Sequence, residues 1–337
     1  MILTMELTGP DNYDIVIERG CLQKAGELLR LGRKVMIVTD EGVPAAYAET
    51  VAAQCGAAFV CRVPQGEESK SFAVLERILS EMLRAGFSRG DCVCAVGGGM
   101  VGDLAGFAAA SFMRGVDFYN IPTTVLSQVD SSIGGKTAIN LDGIKNIVGA
   151  FYQPKKVLID IDTLATLPRR QIASGLAEAV KMALCGDAAL FELFETETRL
   201  EAHMERIIAD SVRMKRAVVE QDEKEQGLRK VLNFGHTIGH GIESVTGFLF
   251  HGECVALGML PMCGEAVRAR LVPVLEKLEL PTSVRADPDK IYEAMLHDKK
   301  AAKGKLSVVR VNEVGTFELE SVAPETLRPL IGGVVKP

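Results

Sequence analysis

No two cysteines in this 337-residue chain are spaced Cys-x-x-Cys, although there are eight of them. Structural zinc sites favour several closely spaced Cys ligands, so that class of site is not expected. Cys92 and Cys94 alternate along an apolar run and are expected on one side of a buried strand. Long uncharged runs are also missing: the longest reach about a dozen residues, too short to span a bilayer. The opening segment, MILTMELTG, has no basic region followed by an apolar core, so no secretory leader is expected. A surplus of positive charge is lacking as well. Lys and Arg number 38 against 44 Asp and Glu, a net charge of −6 that argues against a nucleic-acid partner. A local basic pocket for a small anion stays compatible with that balance. Repeats and low-complexity tracts are absent. With 47% apolar and 24% charged residues the chain has an ordinary globular composition. Its length suits two domains or one large one. Free thiols fit a reducing compartment, so the expectation is a soluble, cytoplasmic protein.

The first half alternates strand-like and helix-like segments. Residues 2–8 and 13–17 read as a hairpin. Strands are expected at 34–39, 57–63 and 91–96, and helices at 43–54 and 71–85. This rhythm predicts a mostly parallel sheet with crossover helices. At Gly97 a strand runs into GGGMVGDLAGFAAA. Strand, glycine turn and helix in that order present backbone N–H groups to a phosphate. The spacing Gly98-x-x-x-Gly102 departs from G-x-G-x-x-G, which leaves a plain glycine turn as the alternative. Asp40, closing an earlier strand, is a candidate for a ribose hydroxyl or for a helix cap. The stretch from Asp117 to Pro154 is read as functional loop, dense in Asp130, Ser131, Ser132, Lys136, Lys145 and Asn146. Lys136, Lys145 and Arg114 suit an anion pocket. GGKT there is not a P-loop, because Asp130 stands where the first glycine belongs. After Thr163–Pro168 the pattern turns helical, over 169–184, 188–196, 200–220, 232–246, 253–270 and 287–297, with a small hairpin at 305–311 and 316–319.

Chemistry concentrates between Leu232 and Glu253, LNFGHTIGHGIESVTGFLFHGE. Three of the chain's five histidines, His236, His240 and His251, lie in it. On a helix, His236 and His240 share a face one turn apart, where two imidazoles can share a metal. Helix-packing histidines beside small residues are the alternative. A carboxylate from elsewhere is required, and SGLAEAVK offers Glu178, one turn from Lys181 within an apolar segment.

The ordered motifs GGGMVGD, IPTTVLSQVDSSIGGKTAIN, KNIVGAF, SGLAEAVK, GLRKVLNFGHTIGH, HGE and DKK resemble the 3-dehydroquinate synthases of the sugar phosphate cyclase superfamily, over nearly the whole chain. The resemblance implies a Rossmann-like α/β NAD-binding domain over 1–167 and an all-α metal- and substrate-binding domain over 168–337, with the active site between them. It implies NAD and a divalent metal, zinc or cobalt, as cofactors, a phosphorylated sugar acid as substrate, and a homodimer. Metal ligands would be Glu178, His236 and His251, which replaces the His236–His240 pairing and leaves His240 to substrate or proton handling. Substrate contacts would be Arg114, Asp130, Lys136, Asn146, Lys181, Lys215, Arg229, Asn233 and Lys300 or its neighbour Lys299, with Arg114 supplied across the dimer. NAD contacts would be Asp40, Glu67, Lys70, Gly99, Met100, Val101, Gly102, Asp103, Thr123, Thr124, Lys136, Lys145, Thr163, Leu164, Ala165 and Thr166. Gly42 stands where the family has Asn, and Met182 where it has Tyr. Among related folds, polyol dehydrogenases would consume NAD and sister cyclases would take other sugar phosphates; Arg229 and Asn233 favour a carboxylate substrate.

Overall fold

A computed structural model of the chain describes residues 1–9, 11–298 and 304–336. Lys299 and Lys300, the expected substrate contacts, lie outside the described residues. The chain divides into two compact units, Met1–Leu167 and Pro168–Pro337.

The first unit is built on strands β1 (Ile2–Met5), β2 (Tyr13–Ile17), β3 (Lys34–Asp40), β4 (Ala57–Val63), β5 (Cys92–Gly97), β6 (Asp117–Pro122) and β9 (Lys156–Ile159). They form one sheet in the order β1-β2-β9-β6-β5-β3-β4. Only the β1–β2 pair is antiparallel. Strand residues alternate between the two faces, and both faces are covered. Val35, Ile37, Cys92, Cys94 and Val96 point into one core. Met36, Val38, Val93 and Ala95 point into the other. Cys92 and Cys94 thus share a face, as their alternation implies. Helices α1 (Ala25–Leu28), α2 (Ala45–Ala52), α3 (Phe72–Arg84) and α4 (Gly99–Ser111) connect these strands. From β3 the chain steps one way to β4 and then returns past β3 to β5. Ligands of such sheets bind where the order reverses, at the carboxyl ends of the strands. Here those ends are Asp40 and Gly97.

One expectation is corrected. The stretch after Asp117 is not loop: it contains β6, a central strand, and the hairpin of β7 (Lys136–Leu141) and β8 (Ile144–Phe151). Phe118, Tyr119 and Ile121 are buried, so the sheet absorbs the apolar half of a segment whose polar residues dominate its sequence.

The second unit is helical: α5 (Arg169–Gly186), α6 (Ala188–Thr196), α7 (Met204–Gln221), α8 (His236–Thr246), α9 (His251–Met259), α10 (Glu265–Lys277), α11 (Pro288–Asp298) and α12 (Arg328–Ile331). Two short ladders join them, β10 (Val284–Arg285) with β13 (Val335–Lys336) and β11 (Leu306–Arg310) with β12 (Glu318–Val322). The single helix expected over 253–270 is two. Pro261, in a tight turn after Met259, and Gly264 end one and start the next. From Ala173 to Cys185 helix α5 is buried all round, the signature of a helix at the centre of its unit.

Helices α8 and α9 cross on glycine. A Cβ on Gly258 would stand 1.9 Å from the Gly235 oxygen and 2.8 Å from the Gly239 nitrogen. Gly235 itself takes φ +78° to open α8, and a Cβ there would meet Met259 at 2.7 Å. Helix propensity alone favours Ala over Gly by about 1 kcal/mol. Gly258→Ala should nevertheless destabilise the protein by about 2 kcal/mol or more, because the clash is with backbone. A urea midpoint that rises in this variant would contradict the crossing described.

Candidate active site

The glycine crossing sets the distances among the histidines. His236 and His240 project from successive turns of α8, and His251 opens α9. The ring centroids of His236 lie 5.2 Å from those of His240 and His251, and His240 lies 5.8 Å from His251. One nitrogen from each of the three falls within 4.8 Å of the others. Below them stands Glu178 of α5, with no exposed surface. Its Oε1 is 3.5 Å from Nε2 of both His236 and His251.

The imidazoles of His236 and His251 are oriented from behind. His236 Nδ1 is 3.0 Å from the Phe234 carbonyl oxygen, and His251 Nδ1 is 2.9 Å from Glu243 Oε2. Such partners at the far nitrogen are what turn Nε2 of a metal-binding histidine toward its ion. Glu253 fixes the start of α9: it accepts two hydrogen bonds from Arg170, at 2.7 and 2.8 Å, and one from the Phe250 amide at 2.7 Å. The Arg170 guanidinium also lies 4.3 Å over the Phe250 ring. Gly252 donates to Ser174 Oγ at 3.0 Å, and its Cβ would collide with the Ser174 carbonyl. Glu243, Arg170 and Glu253 were not singled out from sequence. Glu243 carries a legible signal, because it lies seven residues after His236 and three after His240, on the same helix face.

Charges in this unit are unusually deep. Lys181 Nζ sits 2.5 Å from Glu178 Oε2 and donates to the Leu232 carbonyl at 2.7 Å. Burial alone would push the Glu178 carboxyl up, but Lys181, His236 and His251 hold it well below the usual carboxylate range. Burial takes His236 down to about 3, so it is neutral. For His251 burial acts the same way, yet Glu178 and Glu243 overcome it and carry the imidazole up to about 10.

Lys215 on α7 and Arg229 on the turn Leu228–Asn233 are also buried. Arg229 donates from its guanidinium to the Glu223 carbonyl, and from its amide to Asp222 at 3.0 Å. Although it lies in the charged stretch EQDEKEQGLRK, Arg229 is 1% exposed. Asp222 gathers three backbone amides, of Gln226, Gly227 and Arg229, and folds that turn inward. Asn233 Nδ2 donates to Glu225 Oε1 at 2.6 Å.

A divalent ion fits this cluster. Both oxygens of fully buried Glu178 lack an aligned hydrogen-bond donor. A carboxylate left so, facing two imidazole nitrogens, is the donor set of a catalytic zinc or cobalt site. His240, whose ring adjoins both His236 and His251, is placed to act beside such an ion.

In the first unit, Asp40 Oδ1 accepts from the amides of Gly42 and Val43 at 2.7 and 3.1 Å, the turn-capping role. Burial raises its pKa and the two amides offset part of the rise. At Gly42 a side chain would run into the Gln65 amide at 2.4 Å, so Gln65 occupies the space an Asn would need. Met182 is wholly buried and packs in the core of the helical unit. Gly99 to Asp103 form the first turn of α4, immediately after β5, and a Cβ on Gly99 would meet Ser131 Oγ at 2.7 Å. Thr123 follows β6 and donates its amide to Gly97 at 2.9 Å; Thr124 Oγ1 accepts from the Ser127 amide. Asp130 lies in the π-helical turn Ser127–Ser131. The turn carrying Thr163, Leu164, Ala165 and Thr166 follows β9, and Tyr47 OH reaches both the Thr163 carbonyl and Thr166 Oγ1.

Within the polar stretch QGEESK, Lys70 is 3% exposed. Its Nζ donates to Asp103 at 2.6 Å and to Asn146 Oδ1, and lies 3.6 Å from Glu67. The structure thus gathers Glu67, Lys70, Asp103 and Asn146. Lys145 is on the same strand as Asn146, whereas Lys136 opens β7 opposite Phe151, away from that group along the hairpin. Arg114 stands exposed at φ +68°, following Met113 at φ +50°.

A parallel-sheet unit with a glycine turn at its switch point, and a helical unit with a Glu–His cluster, define the dehydroquinate synthase-like class of fold. Family models described as 3-dehydroquinate synthase N-terminal and C-terminal match residues 60–174 and 175–301. The 3-dehydroquinate synthase of Pelobacter propionicus is 41% identical over 98% of this chain and 99% of its own. The chain belongs to the 3-dehydroquinate synthase family. Among solved structures, 2-deoxy-scyllo-inosose synthase complexed with carbaglucose-6-phosphate, NAD+ and Co2+ superposes with a TM-score of 0.89 at 25% identity, covering 98% of this chain and 99% of that one. The 2-epi-5-epi-valiolone synthase of Streptomyces hygroscopicus, with NAD+ and Zn2+ bound, gives 0.87 at 27% identity and 95% of each chain.

Metal loading should depend on pH with a definite sign. His251 carries a proton in the metal-free protein up to about pH 10, whereas His236 carries none above about pH 3. A metal ligated by His251 must displace that one proton. Zinc affinity, followed by competition with a chromophoric chelator, should therefore rise about tenfold per pH unit between about pH 6 and 9. A flat profile would remove His251 from the ligand set.

Proposed function

We infer that the chain catalyses the 3-dehydroquinate synthase reaction: 3-deoxy-D-arabino-heptulosonate 7-phosphate is converted to 3-dehydroquinate and inorganic phosphate, a lyase step toward the aromatic amino acids. The observation that carries this reading is the convergence of Glu178, His236 and His251 with the buried Lys181, in a chain of this family. Bound NAD supplies a reversible hydride transfer, and a bound divalent ion, zinc or cobalt, polarises the substrate hydroxyl that takes part in it.

The chain's own residues supply the rest. Glu178, His236 and His251 hold the ion. Arg229 and Asn233 grip the substrate carboxylate, for which a guanidinium offers a paired, planar fork. Lys181 and Lys215 bind hydroxyls, and His240 moves a proton beside the ion. Asp130 binds near the reacting hydroxyl. Lys136, Asn146 and Arg114 take the phosphate, with Arg114 reaching the site of a second copy in a homodimer. Lys300 completes the substrate contacts. On the first unit Asp40, Glu67, Lys70, Gly99–Asp103, Thr123, Thr124, Lys136, Lys145 and Thr163–Thr166 hold NAD. Among the described residues no helix is long and apolar enough to cross a membrane. The eight cysteines are all free, which supports a cytoplasmic setting.

Phosphate release from the heptulosonate phosphate and from glucose 6-phosphate tests the substrate class. Zinc-loaded protein with NAD should turn over the first and leave the second untouched; the reverse would make it a sister cyclase. Arg229→Ala should raise KM for the heptulosonate by about 30-fold or more, the scale of losing a buried charged partner, with a smaller effect on kcat. An unchanged KM would remove Arg229 from the carboxylate site.

A further inference from the structure

Asn140 belongs to none of the groups assigned so far, yet it touches members of two of them. It sits at the irregularity of the β7–β8 hairpin, between the paired residues Ile139↔Val148 and Leu141↔Ile144. There β8 carries the surplus, its residues 145–147 facing the single Asn140, so Asn140 has no regular partner in the ladder and its backbone and side chain turn to other partners. The Asn140 amide donates to the Lys70 carbonyl at 2.8 Å. Its side-chain Nδ2 donates to Glu67 Oε1 at 3.0 Å and lies 3.4 Å from the Glu67 carbonyl. Its Oδ1 accepts from the Asn146 amide at 2.8 Å. Asn146 is held at φ +57°, the left-handed region that Asn adopts more readily than other non-glycine residues, and the Asn140 oxygen is the partner of its amide there.

From this geometry we propose that Asn140 is a positioning residue for both ligands. Its side-chain NH2 orients Glu67 for the nucleotide, while its side-chain oxygen holds the backbone of Asn146, the residue assigned above to the substrate phosphate, in its left-handed conformation. The two jobs belong to different atoms of one side chain. The inference rests on the function proposed above for its account of which ligand each job serves. It requires no contact between Asn140 and either ligand.

Because the jobs are separable, one substitution can remove one and keep the other. Asn140→Asp preserves an oxygen for the Asn146 amide but sets a carboxylate against Glu67. NAD affinity, measured by calorimetry on the zinc-loaded full chain, should fall about tenfold or more. KM for the heptulosonate phosphate at saturating NAD should stay within about twofold, since the oxygen facing Asn146 remains. Asn140→Ala removes both functions, so NAD affinity and substrate KM should both worsen. A merely structural role would make the two variants lose both ligands in proportion to their loss in melting temperature, and that result would overturn the proposal. Wild-type NAD affinity in a folded Asn140→Asp would overturn it as well. If the wild-type chain binds NAD but never turns over the heptulosonate, the proposed function fails; a loss of NAD affinity in Asn140→Asp would then still establish the Glu67 half.

Discussion

One buried carboxylate organises the helical unit. Glu178 has no exposed surface, and an isolated charge at that depth would cost several kcal/mol. Lys181 one turn away offsets part of that cost, and the imidazoles of His236 and His251 face the other oxygen. Neither oxygen has an aligned hydrogen-bond donor. A carboxylate this deep, paired with Lys181 and facing two imidazole nitrogens, supports the proposal that it serves as a metal ligand.

Holding two histidine-bearing helices over that carboxylate is a packing problem, and the solution is small residues backed by charged clamps. Gly235, Gly239 and Gly258 let the backbones of α8 and α9 come within a distance that any Cβ would prevent. Arg170 and Glu253 then fix where α9 begins, so His251 arrives opposite His236 rather than a turn away. The same glycines that look like dead space between the functional letters of FGHTIGH set the site's dimensions.

Local relationships were legible in the sequence, and tertiary ones were not. Glu178 and Lys181 sit at helical spacing, and their contact follows directly. His236 and His240 were paired for the same reason, but His251 comes from a second helix, so its approach depended on the crossing and was reached only through family resemblance. The parallel sheet was legible from its alternating runs, whereas β6 was hidden because Asp117 and Asn120 within it, and Thr123 and Thr124 just after it, give the segment the composition of a loop. Lys70 and Arg229 were hidden for a related reason. Each lies in a charged stretch, and only its backbone turn, tied by Ser69 and by Asp222 respectively, decides that it points inward.

In the proposed reaction, oxidation and reduction both occur within one turnover on an ion-loaded site, so NAD is regenerated each time. The most direct measurement follows phosphate and absorbance at 340 nm together, with purified protein, excess heptulosonate phosphate and NAD far below the substrate concentration, before and after chelation and re-addition of zinc or cobalt. Many phosphates should be released per NAD with no net NADH, and turnover should be lost on chelation and return with the metal. NADH accumulating in step with product, or phosphate release that survives complete removal of the metal, would contradict the proposed reaction.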